Sequence, residues 1–276
     1  MRKLLITGGA GAIGSGYAEW ARDRYQVTLL DLPGQFEERH AHLGRLVEAD
    51  LRQLDEIREA FDGVDTVLHL GGERRPWATW SSLLPANIMG TYNVIAAAVA
   101  SACRRVVYAS SVHAVSGYPP GSGVTEDDPV HPGDLYGVTK AFGEALGSFV
   151  ASTEQLSFVA LRIGAFQDPQ VIDAPGTGWM LQDYTAPTDL YRLIDAVIDA
   201  EPLRFEIYNA VSGNTFTRLP MDKAREDFGY VPDYDSFQLS TPFREAIRAV
   251  GGVADRAMES GMREEIESST RRREIV

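Results

Sequence analysis

The chain has 276 residues, of which 44% are hydrophobic, and a formal net charge of −13. That is enough apolar material for one large folded unit, and it excludes wholesale disorder. So acidic a chain repels phosphate backbones, so nucleic acid is not expected as a partner. No uninterrupted apolar run reaches the roughly 18–20 residues that span a bilayer, so no membrane partner is expected either. The single cysteine, Cys103, can form no internal disulfide. The apolar stretch that opens the chain is too short for a signal peptide, and a cytoplasmic location is expected.

Short apolar runs alternate with amphipathic stretches through the first two-thirds. Lys3 to Thr7 reads as a buried strand, Ala12 to Arg24 as a helix, and Gln26 to Leu30 as a second strand. Leu46 to Ala49 follows as a third, then a helix from about Leu51 to Phe61. Thr66 to Leu70 is a fourth strand, and a long helix runs from about Trp80 to Ala102. Arg105 to Ala109 is a fifth, followed by a Gly-, Pro- and Asp-rich loop over 112–134. A helix carries Tyr136 to Val150, and Ser157 to Ile163 is a sixth strand. Beyond Gly164 the pattern weakens, with a helix near Thr188 to Ala200 and a strand near Arg204 to Tyr208. The segment from about Thr241 is charged and reads as helical, with a tail containing Arg271, Arg272 and Arg273. Apolar strands alternating with helices predict an α/β fold: a doubly wound, Rossmann-like parallel sheet with helices on both faces. Ligands of such sheets bind at the carboxyl ends of the strands.

Thr7-Gly8-Gly9-Ala10-Gly11-Ala12-Ile13-Gly14 directly follows the first strand. Glycines at this spacing permit a tight turn, let backbone approach a pyrophosphate, and let the helix pack closely on the strand. The start of the following helix then offers free N–H groups and the positive end of its dipole. A glycine triplet alone is a weak signal; the strand before it and the helix after it make dinucleotide binding the expectation. Asp31, with Leu32 after it, closes the second strand. A carboxylate there accepts hydrogen bonds from the adenosine ribose and repels the extra phosphate of NADP, so NAD is the expected cofactor. Asp50 and Leu51 end the third strand, where Asp50 is either an adenine contact or a helix N-cap. His69-Leu70-Gly71-Gly72 ends the fourth, and its glycines allow backbone to approach the cofactor. His69 itself reads as a packed or hydrogen-bonded histidine.

Tyr136 and Lys140 lie four residues apart, on one helix face. A free phenol has a pKa of about 10, too high for an efficient base at neutral pH. A cation about 4 Å away at an effective dielectric of about 20 contributes roughly 4 kcal/mol, enough to lower that pKa by up to about three units. Tyr136 would then exchange the substrate's hydroxyl proton as hydride moves. A serine after the fifth strand, Ser111 in preference to Ser110, would hold the reacting oxygen. No metal-site spacing is present.

Taken together, Thr7-Gly8-x-x-Gly11-x-Ile13-Gly14, Asn87-x-x-Gly90-Thr91, Ser110-Ser111, Tyr136-Gly137-x-x-Lys140, Arg162-Ile163-Gly164 and Phe228-Gly229-Tyr230-x-Pro232 resemble the extended short-chain dehydrogenases. That family includes the NAD-dependent epimerases and dehydratases. The resemblance spans roughly residues 3 to 232. Within it the chain is similar to uronate dehydrogenases and related sugar dehydrogenases, through His69-Leu70-Gly71-Gly72, Ala109-Ser110-Ser111-x-His113 and Leu135 to Lys140. It implies an NAD-dependent oxidoreductase that oxidises C1 of a sugar or sugar acid, with Tyr136 as base and Lys140 also on the nicotinamide ribose. It further implies that Asn87 supports the active-site helix, that Ile163 lies at the cofactor, and that a dimer or larger homo-oligomer forms through the two long helices. Residues 1–165 would be the NAD-binding core, and 166–276 a small substrate-binding part interleaved with it.

Three positions depart from the uronate dehydrogenase pattern. Val112 stands where an Asn is usual, Ala165 where a Ser is usual, and Trp179 where a carboxylate-binding Arg is usual. Arg74 and Arg75, on the edge where substrate should lie, are the alternative anion clamp, and His113 is a further substrate candidate. A glucose-6-phosphate dehydrogenase of salt-loving archaea shares the look of Gly72-x-x-Arg75-Pro76 and His113-Ala114-Val115. A cofactor-retaining epimerase or dehydratase, and a non-catalytic NAD sensor, are the other readings.

Overall fold

The computed structural model describes residues 1–174 and 176–249. The chain begins β1 (Lys3–Thr7), α1 (Ala12–Ala21), β2 (Gln26–Asp31), β3 (Arg45–Glu48), α2 (Leu54–Ile57) and β4 (Thr66–His69). It continues through α3 (Trp80–Leu83), α4 (Gly90–Ala100), β5 (Arg105–Ser111), α5 (Leu135–Thr153) and β6 (Ser157–Ile163). The remainder holds a short pair, β7 (Ala165–Phe166) and β8 (Tyr184–Thr185), then α6 (Pro187–Asp199), β9 (Phe205–Ala210), α7 (Asp222–Phe228), α8 (Ser236–Leu239) and α9 (Thr241–Ala249). The tail carrying Arg271 to Arg273 lies outside the described residues.

Seven strands form one sheet in the order β3-β2-β1-β4-β5-β6-β9, with every neighbouring pair parallel. The order reverses between β1 and β4, and this switch point opens a crevice at the carboxyl ends of the strands. Strand alternation divides the core in two. Leu4 and Ile6 face one layer with Tyr17, Leu190 and Ile194, while Leu5 faces the other with Ile57, Val67 and Val94. Burial on both faces is why the strands read as continuous apolar runs. On the first face α6 lies against α1. Tyr17 donates to Asp195 at 2.7 Å and packs on the Tyr191 ring, centroids 5.8 Å apart.

Apart from shifts of a few residues at element ends, such as α1 stopping at Ala21, two predicted helices differ from the sequence reading. The one expected from Leu51 begins at Leu54 and tightens into a 3-10 turn over Arg58–Phe61, because Asp50 and Arg52 are engaged in a turn of their own. The rod from Trp80 to Ala100 passes through a π-helical stretch, Leu84–Met89. Pro85 explains it: proline has no N–H for the carbonyl four residues back, and its ring crowds that carbonyl. By length and a mean hydropathy of 1.4 this rod would suffice to cross a membrane. In the fold, Leu83, Asn87, Val94 and Ala98 on it are buried.

Candidate active site

The glycine turn fills the crevice mouth between β1 and β4. Gly8 adopts φ +70°, and a Cβ there would lie 2.8 Å from Gly71 N. A Cβ on Gly14 would lie 2.4 Å from the Gly8 carbonyl. Gly11 is different. It is exposed, and a Cβ there would approach only the Gly8 carbonyl, at 3.1 Å. Internal packing therefore accounts for two of the three glycines, and the third leaves an open surface at the α1 N-terminus. No side chain caps that terminus. An open cradle at an uncapped helix start fits a pyrophosphate.

Around the turn, Asp31 accepts from Ala10 N at 2.9 Å with one carboxylate oxygen and from Leu32 N at 2.8 Å with the other. Each oxygen keeps a lone pair for a ribose hydroxyl. Asp50 is occupied otherwise. Its carboxylate is paired with Arg52 and accepts the Arg52 amide at 2.9 Å, so it is a turn residue, and the N-cap position of α2 falls to Gln53. Leu51 lies against Gly71, where a Cβ would meet Leu51 Cδ1 at 2.6 Å. Ile13 and Leu70 are half-buried against the core, and Ile163 ends β6 in register with Ser111. His69 is buried, within hydrogen-bond distance of Thr7 (2.7 Å) and Thr91 (3.1 Å). Burial, aided by the Lys140 cation, lowers its pKa to about 3 and keeps it neutral.

Tyr136 and Lys140 sit on the first turns of α5, beside the end of β5. Asp134 caps that helix, accepting from Gly137 N at 2.7 Å, and its other oxygen lies 2.6 Å from His113 Nδ1. Gly137 lets the helix pass close to the next turn, since a Cβ there would lie 2.2 Å from the His113 carbonyl. The His113 ring consequently stands edge-on to the Tyr136 ring, centroids 5.4 Å apart. Ser111, whose Oγ accepts the His113 amide at 3.2 Å, neighbours the Tyr136 hydroxyl and favours its ionised form. Ser110 points to the opposite face, donating to buried Glu144 at 2.6 Å; the same carboxylate is paired with Arg162. Strand alternation thus separates the two serines.

Lys140 is buried. Its ammonium donates to the Ala109 carbonyl at 2.7 Å and lies over the Tyr108 and Tyr136 rings, 5.1 and 5.5 Å from their centroids. Burial lowers its pKa to about 8. Tyr136 departs from the expected depression: burial pushes it up to about 12, against a lowering by the neighbouring Ser111 hydroxyl. The lysine is turned onto the β5 carbonyl, and the dry surroundings penalise the phenolate more than nearby cations favour it.

The loop after β4 forms the other wall. Asn87, 2% exposed, accepts from Glu73 N at 2.7 Å and donates to the Glu73 carbonyl at 3.0 Å and to Thr139 at 2.9 Å. It ties this loop to α5, and a Cβ on Gly72 would displace it. Glu73 grips Arg75 through two contacts of 2.9 and 2.5 Å, and the Arg75 guanidinium holds its carboxyl down near 2. Arg74 is exposed, and its guanidinium has no hydrogen bond or ion pair among the described residues. Val112 packs against the core, Ala165 lies in β7, and Trp179 is 56% exposed. Sequence reasoning missed Asp134, Glu73 and Thr139. Asp134 carried a usable signal, an acid just ahead of a helical pattern; the other two carried none.

A doubly wound sheet with a glycine cradle at its switch point and a Tyr/Lys pair beside it defines a dinucleotide-dependent oxidoreductase of the short-chain type. The match to the NAD dependent epimerase/dehydratase family covers residues 4–234, and the chain belongs to that family. It is an enzyme with NAD as its cofactor. The chain is 30% identical over 255 residues to the NAD-dependent glucose-6-phosphate dehydrogenase of Haloferax volcanii, covering 86% of this chain and 95% of that one. It is 31% identical over 254 residues to L-arabinose 1-dehydrogenase (NAD(P)(+)) of the same organism, covering 84% and 96%. The crystal structure of uronate dehydrogenase from Agrobacterium tumefaciens superposes with a TM-score of 0.78 at 28% identity, covering 93% and 92%.

Proposed function

We propose that the protein oxidises the C1 hydroxyl of a sugar or sugar acid, in the manner of a uronate dehydrogenase. The observation that carries this reading is the buried Lys140 ammonium over the Tyr136 ring, 5.5 Å from its centroid, with Ser111 beside the phenol, at the edge of the glycine crevice. Gly8, Gly11, Ala12, Ile13 and Gly14 would hold the pyrophosphate. Asp31 and Leu32 would take the adenosine ribose, and Leu51, Leu70, Gly71, Gly72 and Ile163 would line the remainder. NAD, when bound, accepts the hydride.

The chain's own residues handle the proton and the oxygen. Ser111 donates to the reacting oxygen and strengthens its bond as negative charge develops. Tyr136 accepts the hydroxyl proton in oxidation and returns it in reduction. With the phenol held near 12 the protonated form is the resting one, so the proton acceptor must be created within the assembled site. Lys140 supplies the positive charge for that, at a pKa that keeps it largely protonated at neutral pH. Asn87 keeps the β4 loop and α5 in register, and His113, held by Asp134, would contact the substrate.

The test is NADH formation from NAD with galacturonate, glucuronate, glucose 6-phosphate and neutral aldoses, with NADP as control. Turnover of a uronate with NAD is the expected result. Turnover of glucose 6-phosphate alone would move the enzyme to the second reading, that of the Haloferax volcanii glucose-6-phosphate dehydrogenase to which the chain is 30% identical. Silence across the panel with NAD still bound would overturn both.

A further inference from the structure

Resting on the reading above, we infer that Arg74 binds an acidic group of the sugar, carboxylate or phosphate, and thereby sets a preference for anionic over neutral sugars. Two guanidiniums sit side by side on the loop after β4, and their surroundings separate them. Arg75 is closed onto Glu73, whose Oε1 also accepts the amides of Arg74 and Arg75 at 2.9 and 3.0 Å. That oxygen has no capacity left, and the other is bonded to Arg75. Glu73 therefore neutralises one arginine and leaves its neighbour without a partner among the described residues. This occurs in a chain with 39 acidic and 26 basic side chains, where carboxylates are in surplus.

The backbone that carries Arg74 is braced against the helix of the reacting centre. Asn87 holds the Glu73 backbone through both its N–H and its carbonyl, and its amide also donates to Thr139. The Thr139 hydroxyl in turn donates to the Tyr136 carbonyl at 2.7 Å. The loop that carries Arg74 is thus coupled through one buried side chain to the helix turn that carries Tyr136. Burial above all, and then Asp134 and Glu73, disfavour the ionised phenol, and the Arg74 charge opposes them to a smaller extent. Val112, Ala165 and Trp179 offer no cation on the substrate side, so an acid group entering there finds its charge complement at Arg74. A planar guanidinium meets a carboxylate or a phosphate in two parallel hydrogen bonds, which a neutral sugar cannot reproduce.

The experiment measures binding of galacturonate, glucose 6-phosphate and galactose to the NADH-loaded enzyme by calorimetry, alongside NADH formation from NAD with the same three sugars. Wild type is expected to bind the better of the two acids at least tenfold tighter than galactose, and the tighter of the two identifies the group as carboxylate or phosphate. Arg74→Gln should cut that selectivity by about 10- to 100-fold, the range for a hydrogen bond to a charged group. Arg74→Lys should retain part of it, as a point charge without the fork. The wild-type preference should also fall as salt rises, because the guanidinium is exposed. An Arg74→Gln enzyme with undiminished selectivity overturns the inference, as does a wild type that binds galactose as tightly as either acid. Arg74-dependent binding of an acid without NADH formation would leave the inference standing and remove the dehydrogenase reading instead.

Discussion

At the glycine turn, a Cβ on Gly8 or Gly14 would fall within 3 Å of backbone atoms, whereas Tyr136, Lys140 and Arg74 are placed by side chains and carbonyls from several separate segments. On the cofactor wall, backbone geometry specifies the site, through close approach of the turn to itself and to Leu70–Gly71. On the substrate wall, the site is a set of partnerships: Asp134 with His113, Asn87 with Glu73 and Thr139, Glu73 with Arg75. A wall of the first kind is altered by adding one methyl group. A wall of the second kind is altered by removing one partner.

The largest expected effect lies on the substrate wall. Tyr136→Phe keeps the ring and removes only the hydroxyl, so kcat should fall about 10²–10⁴-fold, the usual range for a lost acid–base group. NADH affinity, measured by fluorescence, should stay close to wild type because the glycine wall is untouched. Retained turnover would show that Tyr136 does not carry the proton.

Lys140 tests the cost of that wall. Its pKa in the fold is about 8, below the free value of 10.5. Between those values the unfolded chain binds more protons, so the stability of the wild type rises with pH across that window. Below pH 8 the full cost is present, of order 3 kcal/mol. Lys140→Met should therefore raise the unfolding midpoint at pH 7, with the gain shrinking as pH climbs from 8 to 10.5. A variant no more stable than wild type at pH 7 would show that the Ala109 hydrogen bond and the two tyrosine rings compensate the buried charge.

The smallest effect belongs to the cofactor wall. Gly11→Ala adds a methyl group to the open side of the turn, at a backbone angle any residue adopts. Stability should change by no more than about 1 kcal/mol. The Kd for NAD should rise about tenfold, as expected for an intruding methyl where backbone must approach the ligand closely. Unchanged NAD binding would mean that the pyrophosphate does not lie on Gly11, and the contrast between the walls would lose its basis.

Much of this was legible beforehand. The strands and most helices were recognisable from apolar runs and their spacing, because a parallel sheet buried on both faces writes its pattern locally. Asp50 was not, because the sequence did not show that its carboxylate turns back onto Arg52 and leaves the N-cap position to Gln53. The π-helical stretch was hidden in a segment that otherwise reads as one helix, although Pro85 marked the place. The raised pKa of Tyr136 is not legible in the sequence, because spacing puts a cation nearby but does not reveal that the surroundings are dry or that the lysine is turned onto Ala109.

What the sequence determined by itself is therefore local in origin. The glycine spacing, the strand and helix periods, and the placement of Tyr136 and Lys140 on one helix face each depend on residues within a few positions of one another. Tertiary structure alone decided which arginine is left without a carboxylate among the described residues, what holds the unchosen serine, and whether burial or charge governs the pKa of Tyr136. Those outcomes depend on desolvation and on partners distant in the chain, such as Glu144 for Ser110 and Asn87 for the loop that carries Arg74. A linear pattern carries neither.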